Sequence, residues 1–306
     1  MKKIFTTVTV VCLLSLMTIL GHAKAGQEYI RWANGEFDVP SEIKEANSIS
    51  ELQPFLSGKD EFKRMTAVRR LGEVEGIKSV SLLREIFTKE PNTMGIDDFP
   101  LVKLEVIRTL EQVGGEDAKS TLLSLLESNW ERGPQVEDKK NFRLDRDFEP
   151  VVSLLLETPY NWKDNNDVFQ TAQNIALSED LRSYYADSRI ATNAWKLYLK
   201  GHIPRQGVKS EKDSAKYLLN FIEDLRKEGT AYGTLGAAKK RAALCLFEKH
   251  SKEVLSSLQK ELEEEFTKVP SEPNDFFKER HNRLRAQISY IEKVLREKAE
   301  DEQNNK

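Results

Sequence analysis

The residues most able to do chemistry stand apart from one another in this sequence. His202, His250 and His281 are the histidines that follow the first 25 residues, and no two have the spacing of a metal-ligand pair. Asp97–Asp98 and the "DRD" at 145–147 offer neighbouring carboxylates, which can share a proton and serve acid–base work. Both lie in turn-like sequence, where solvated acids are ordinary. "DNND" at 164–167 has oxygen ligands that would suit calcium, but it lacks the glycine and the distal glutamate of an EF-hand loop. Asp167 is better placed to cap a following helix. No serine has a histidine in a recognisable nucleophile setting, and no phosphate-binding glycine loop, G-x-G-x-x-G or G-x-S-x-G occurs. These residues predict no catalytic site, no metal and no cofactor.

The charge balance narrows the partners. The chain of 306 residues carries 47 Lys and Arg against 50 Asp and Glu. Its densest basic stretch, "AAKKRAA" at 237–243, reads as a solvated helix face, and no basic stripe suits nucleic acid. Of two cysteines, Cys12 lies in an apolar leader, and Cys245, in "RAALCLFEK", is expected to be a buried, inert thiol.

Residues 1–25 have the pattern of a secretory signal. "MKK" precedes an uncharged run from 4 to 20, and Ala23 and Ala25 form the small-x-small site after which cleavage leaves Gly26 first. The alternative is a retained anchor. Cleavage removes three lysines, leaving 44 basic against 50 acidic residues and a net charge of −6. A periplasmic or secreted location follows, and no later apolar run is long enough to span a bilayer.

What must position any site is a repeat. "MTAVRRLGEVEG" at 65–76 returns as "LEVIRTLEQVGG" at 104–115, 39 residues later. The offset lays Met65 on Leu104, Val68 on Ile107, Arg69 on Arg108, Leu71 on Leu110 and Leu83 on Leu122. Apolar residues three and four apart run through both halves of each unit, and Gly76 and Gly115 break the pattern where a first helix should end. Each unit is read as a helix, a turn and a second helix, with Leu71, Leu83, Leu110 and Leu122 in the core. Hairpins of this kind bury both apolar sides only by stacking.

These residues resemble HEAT-type repeats, in particular the short variety of the phycobilisome lyases. Arg64, Ala67, Val68, Leu71 and Gly72 match the family pattern in the first unit, and Val102, Lys103, Val106, Ile107 and Leu110 in the second. Glu111 replaces the family's final glycine and Val106 its usual alanine. The resemblance covers about 70 residues; it implies an all-α solenoid of stacked helical hairpins and a scaffolding role, with the second helices lining the concave face.

On that reading, Ile77, Val80, Leu83 and Phe87 form an inward stripe, and Ser81, Arg84 and Glu85 turn outward. The repeat offset carries the outward set onto Ser120, Leu123 and Ser124, with Leu123 as an exposed apolar anchor for a partner protein. The expected organisation is a signal (1–25), an N-terminal arm (26–58), two repeats (59–128), an irregular connection (129–166), further hairpins (167–250), and a long C-terminal hairpin with a fraying tail (251–306). Within 167–250, residues 168–183 and 188–200 are expected to form the two arms of one hairpin. The function expected is a protein-binding scaffold or adaptor. The alternatives are an enzyme or small-molecule or glycan binder with its site near 129–166, and a structural subunit assembled through the C-terminal hairpin.

Overall fold

The computed structural model describes residues 39–90, 100–132, 148–158, 166–184, 189–227, 234–270 and 275–304. The signal segment and Asp97, Asp98, Asp145 and Asp147 lie outside them. Every regular element among the described residues is helical, and none of these helices is long and apolar enough to cross a membrane. The chain divides into two compact units, Met1–Tyr160 and Asn161–Lys306.

The first unit contains α1 (Ser41–Lys44), α2 (Ile49–Leu56), α3 (Glu61–Glu75), a 3-10 turn (Gly76–Ser79), α4 (Val80–Lys89), α5 (Leu101–Val113), α6 (Gly115–Arg132) and α7 (Phe148–Glu157). Asp60 starts α3 by accepting from the Lys63 amide at 3.0 Å. Gly76, at φ +51°, ends it with a left-handed residue that a side chain would strain. In the second repeat the C-cap is Gly114, one residue before the position the offset assigns to it. α3 packs on α5, α4 packs on both α5 and α6, and α7 packs on α5 and α6. Leu71, Leu83, Leu110 and Leu122 are all buried, as the repeat spacing predicts.

Two expectations for this unit are corrected. Ile77 does not join the inward stripe: it sits on the 3-10 turn, where the helical period is lost, and is 48 % exposed. The stretch 129–166 is not irregular throughout. α6 runs on to Arg132, and "FEPVVSLLLE" forms α7, burying Val151, Val152, Leu155 and Leu156. Pro150 is no obstacle there, because it sits in the first turn, where its missing N–H has no helical acceptor to reach. In the described part of the N-terminal arm, α1 and α2 bury Ile43, Leu52 and Leu56.

The second unit contains α8 (Asn166–Ala176), α9 (Glu179–Tyr184), α10 (Arg189–Arg205), α11 (Glu211–Lys227), α12 (Thr234–Phe247), α13 (Lys252–Lys268) and α14 (Asp275–Asn304). The expected single helix over 168–183 is broken, because Ser178 accepts from the Leu181 amide at 3.0 Å and starts a new helix. α10 packs on α8 and on α12, α11 on α12 and α13, and α13 on α14. Ion pairs add to this: Lys216 meets Glu261 at 2.7 Å between α11 and α13. Asn220 on α11 accepts from Arg283 at 2.6 Å and Gln287 at 3.2 Å on α14. The C-terminal tail does not fray where expected. α14 continues to Asn304, and Glu302 reaches Lys252 at 2.7 Å.

Candidate functional site

The residues expected to meet a partner divide in two. Ser81, Arg84 and Glu85 are exposed on α4, and Arg84 has no acidic partner among the described residues. Glu85 is paired with Lys89 one turn on. On α6, Ser120 is exposed and Ser124 half-buried. Leu123 is not the exposed anchor: only 9 % of it is accessible. The cause is the number of neighbours around α6, which packs against α4, α5 and α7. A helix covered on several sides keeps little outward surface, and Thr121, Leu122, Leu123, Leu125 and Leu126 are all buried. Cys245 is also corrected. It is exposed on α12, although Ala243 and Leu246 beside it in the sequence are buried.

The first unit hides a polar contact in its interior. Glu105 on α5 is 1 % exposed, and its Oε1 accepts from Arg69 Nε on α3 at 3.0 Å. Its Oε2 is buried without a hydrogen-bond partner, as is Thr109 Oγ1 one turn further along α5. Burial pushes the Glu105 carboxyl up to about 7, and the positive charges of Arg69 and Arg108 only partly oppose it. A carboxyl poised near neutrality could move protons, but this one is enclosed between helices and has no surface on which to meet a substrate. Its role is internal, joining α3 to α5. Close by, a Cβ at Gly72 would come within 2.3 Å of Thr109 Cγ2, so this glycine permits the close crossing of the two helices.

The second unit gathers aromatic and basic groups along α10. Trp195 and Tyr198 meet edge to face with ring centres 5.3 Å apart, and Phe169 of α8 stacks on Tyr198 at 5.9 Å. Phe221 of α11 stacks on Trp195 at 6.3 Å. The Tyr198 hydroxyl lies 3.1 Å from His202 Nδ1. Burial lowers the affinity of His202 for a proton and raises the Tyr198 pKa. Two cations lie on these rings, Arg205 over Phe169 at 3.9 Å and Lys239 of α12 over Trp195 at 4.4 Å. Trp195 Nε1 is buried with no acceptor. Sequence reasoning missed this cluster by reading only the apolar stripe. The available signal was Trp-x-x-Tyr-x-x-x-His at 195, 198 and 202, which places all three on one side of a helix.

His250 and His281 do not join His202. His250 Nδ1 lies 2.9 Å from the Phe247 carbonyl and His281 Nε2 3.3 Å from that of Val269. Among the described residues no three His, Cys, Asp or Glu side chains lie close enough together to hold a metal ion. The region proposed as an alternative ligand site, 129–166, is described only in α6, α7 and the start of α8.

No family model, curated protein or solved structure matches the chain. The HEAT-type resemblance therefore rests on the residues that carry it.

Proposed function

We propose that this chain is an exported α-solenoid of HEAT-like hairpins that serves as a scaffold for another protein, in the periplasm or outside the cell. One observation carries the reading: in both units several helices pack on the helix two along the chain. α3 packs on α5 and α4 on α6 in the first unit, and α8 on α10 and α10 on α12 in the second. This layered pattern is how stacked hairpins share a continuous core, and such stacks present an extended surface on which a partner can lie. The second helices leave room for one. α4 exposes Ser81, Arg84 and Glu85, and α6 exposes Ser120. Arg84, which pairs with no acidic side chain among the described residues, is of the residue type that anchors interfaces. Leu123 has no place in this surface.

The test is affinity capture from an envelope extract with the chain beginning at Gly26, beside the variant Arg84→Glu with Ser120→Arg. Capture of the same species in equal amount by both proteins would remove this face from the binding surface. Loss of one discrete species, with an unchanged melting curve, supports it.

A further inference from the structure

We propose that the α3–α5 seam of the first unit is a proton-operated joint: when Glu105 gives up its proton, the layer made of α1, α2 and α3 parts from α5. This goes beyond the protein-scaffold reading and does not depend on it. α1 and α2 both pack on α3, and Arg70 Nε of α3 donates to the Ala46 carbonyl between them at 3.0 Å, so the three move as one layer. The main packing of that layer on the rest of the unit is α3 against α5. Two side chains of α5, one turn apart, face α3 there. Glu105 meets Arg69 Nε at 3.0 Å, and Thr109 abuts Gly72.

Each of the two has a buried oxygen with no hydrogen-bond partner, Glu105 Oε2 and Thr109 Oγ1. Buried oxygens of this kind are few in native proteins, and a pair in one seam marks a closed state that is not fully satisfied. How unsatisfied it is depends on the proton. An ionised carboxylate has acceptor sites for several donors, and its charge is disfavoured where water is excluded. The closed seam brings it one cation by direct contact, Arg69. The charges acting on Glu105 are those of Arg69 and, from α5 itself, Arg108. Among the described residues no charged group of α4, α6 or α7 acts on it, and Glu157 of α7 acts on Glu111 instead. The neutral acid keeps an O–H to donate, with Thr109 Oγ1 one turn away as an acceptor. Water supplies the missing donors once the layer lifts. Arg69 is one-third exposed and stays solvated when it does. Two links outlast the opening and act as its hinge, the turn Gly76–Ser79 and the pair of Arg64 with Glu90 at 2.7 Å. Burial holds the carboxyl proton up to about pH 7 in the closed seam, whereas in the open seam it leaves near the ordinary 4.5. The joint therefore opens more readily as pH rises through that interval, by up to about ten-fold per pH unit, and no further above it.

The test is amide hydrogen exchange of the chain beginning at Gly26, followed by mass spectrometry between about pH 5 and about pH 8.5 and corrected for the intrinsic effect of pH. The proteins are the parent, Glu105→Gln and Arg69→Met. In the parent, peptides of α2 and α3 should lose protection up to about pH 7 and then level off, while those of α6 and α7 keep theirs. In Glu105→Gln that loss should disappear. In Arg69→Met it should move to higher pH, because the charge and hydrogen bond of Arg69 favour the ionised carboxyl. The proposal is overturned if protection of α3 in the parent does not change with pH, or if it falls equally in Glu105→Gln. A fall shared by α6 and α7 also overturns it, since the unit then unfolds as a whole. Should Glu105→Gln not fold, Arg69→Met decides, and an unmoved or lowered midpoint there overturns the joint.

Discussion

Replacing Glu105 by glutamine should stabilise the protein at neutral pH and leave it unchanged in acid. The carboxyl is raised from its ordinary 4.5 to about 7 in the folded chain. Below pH 4.5 it is protonated in both folded and unfolded states and contributes nothing to their difference. Between 4.5 and 7 the unfolded chain releases the proton while the folded chain holds it, so stability is lost as pH rises. Above 7 the full cost is present. A separation of about 2.5 units at about 1.36 kcal/mol each is on the order of 3 kcal/mol. The contact with Arg69 has good geometry, yet it does not offset the burial of the charge, a common outcome for ion pairs taken out of water. Glutamine keeps the shape and the acceptor for Arg69 without the charge. Arg69 is one-third exposed and remains solvated when its partner is neutral. Urea melts of the parent and Glu105→Gln across pH 4–8.5 isolate this group, because every other titration is common to both. The advantage of the glutamine form should grow from near zero below pH 4.5 to on the order of 3 kcal/mol above pH 7. A difference independent of pH, or a glutamine form that weakens relative to the parent as pH rises, would refute the argument and show that the attraction to Arg69 outweighs the cost of burying the charge.

Gly72→Ala should destabilise the parent, since the overlap with Thr109 Cγ2 (about 1–3 kcal/mol) outweighs the gain in helix propensity (about 1 kcal/mol). In a Thr109→Ser background the methyl is gone and the same change should be neutral or stabilising, so a double-mutant cycle of thermal melts checks the contact directly. Leu71→Ala, Leu83→Ala, Leu110→Ala and Leu122→Ala should each cost about 2–5 kcal/mol, as fully buried leucines do; urea midpoints would show it. In the chain beginning at Gly26, Cys245 should react with maleimide in the native protein to one label per chain, measured by intact mass, because its side chain is exposed.

The parts of the fold legible in the sequence are those that one helix encodes alone. An apolar stripe at spacings of three and four specifies its buried side, which is why Leu71, Leu83, Leu110 and Leu122 lie where the spacing puts them. The turn at Gly76 is legible for a similar reason, since the backbone there needs a left-handed residue. The misplaced residues depend on how many neighbours a helix acquires, and that number is set by segments distant in sequence. Leu123 lies inside because it is on α6, a helix that packs against α4, α5 and α7. Cys245 lies outside because residues adjacent in sequence point about 100° apart on a helix, so an apolar flank is not an apolar face. Glu105 reads as a solvated acid until α5 is seen to pack against α3, α4, α6 and α7. Nine of the 13 residues of α5 are then buried, Lys103, Glu105 and Thr109 included. The same reasoning sorts polar residues by role. On an inner helix such as α5 they must be held by internal partners and govern stability and its pH dependence. On α4, with fewer neighbours, Ser81, Arg84 and Glu85 stay in contact with solvent. A partner-binding surface belongs on helices of the second kind, whatever the composition of the first.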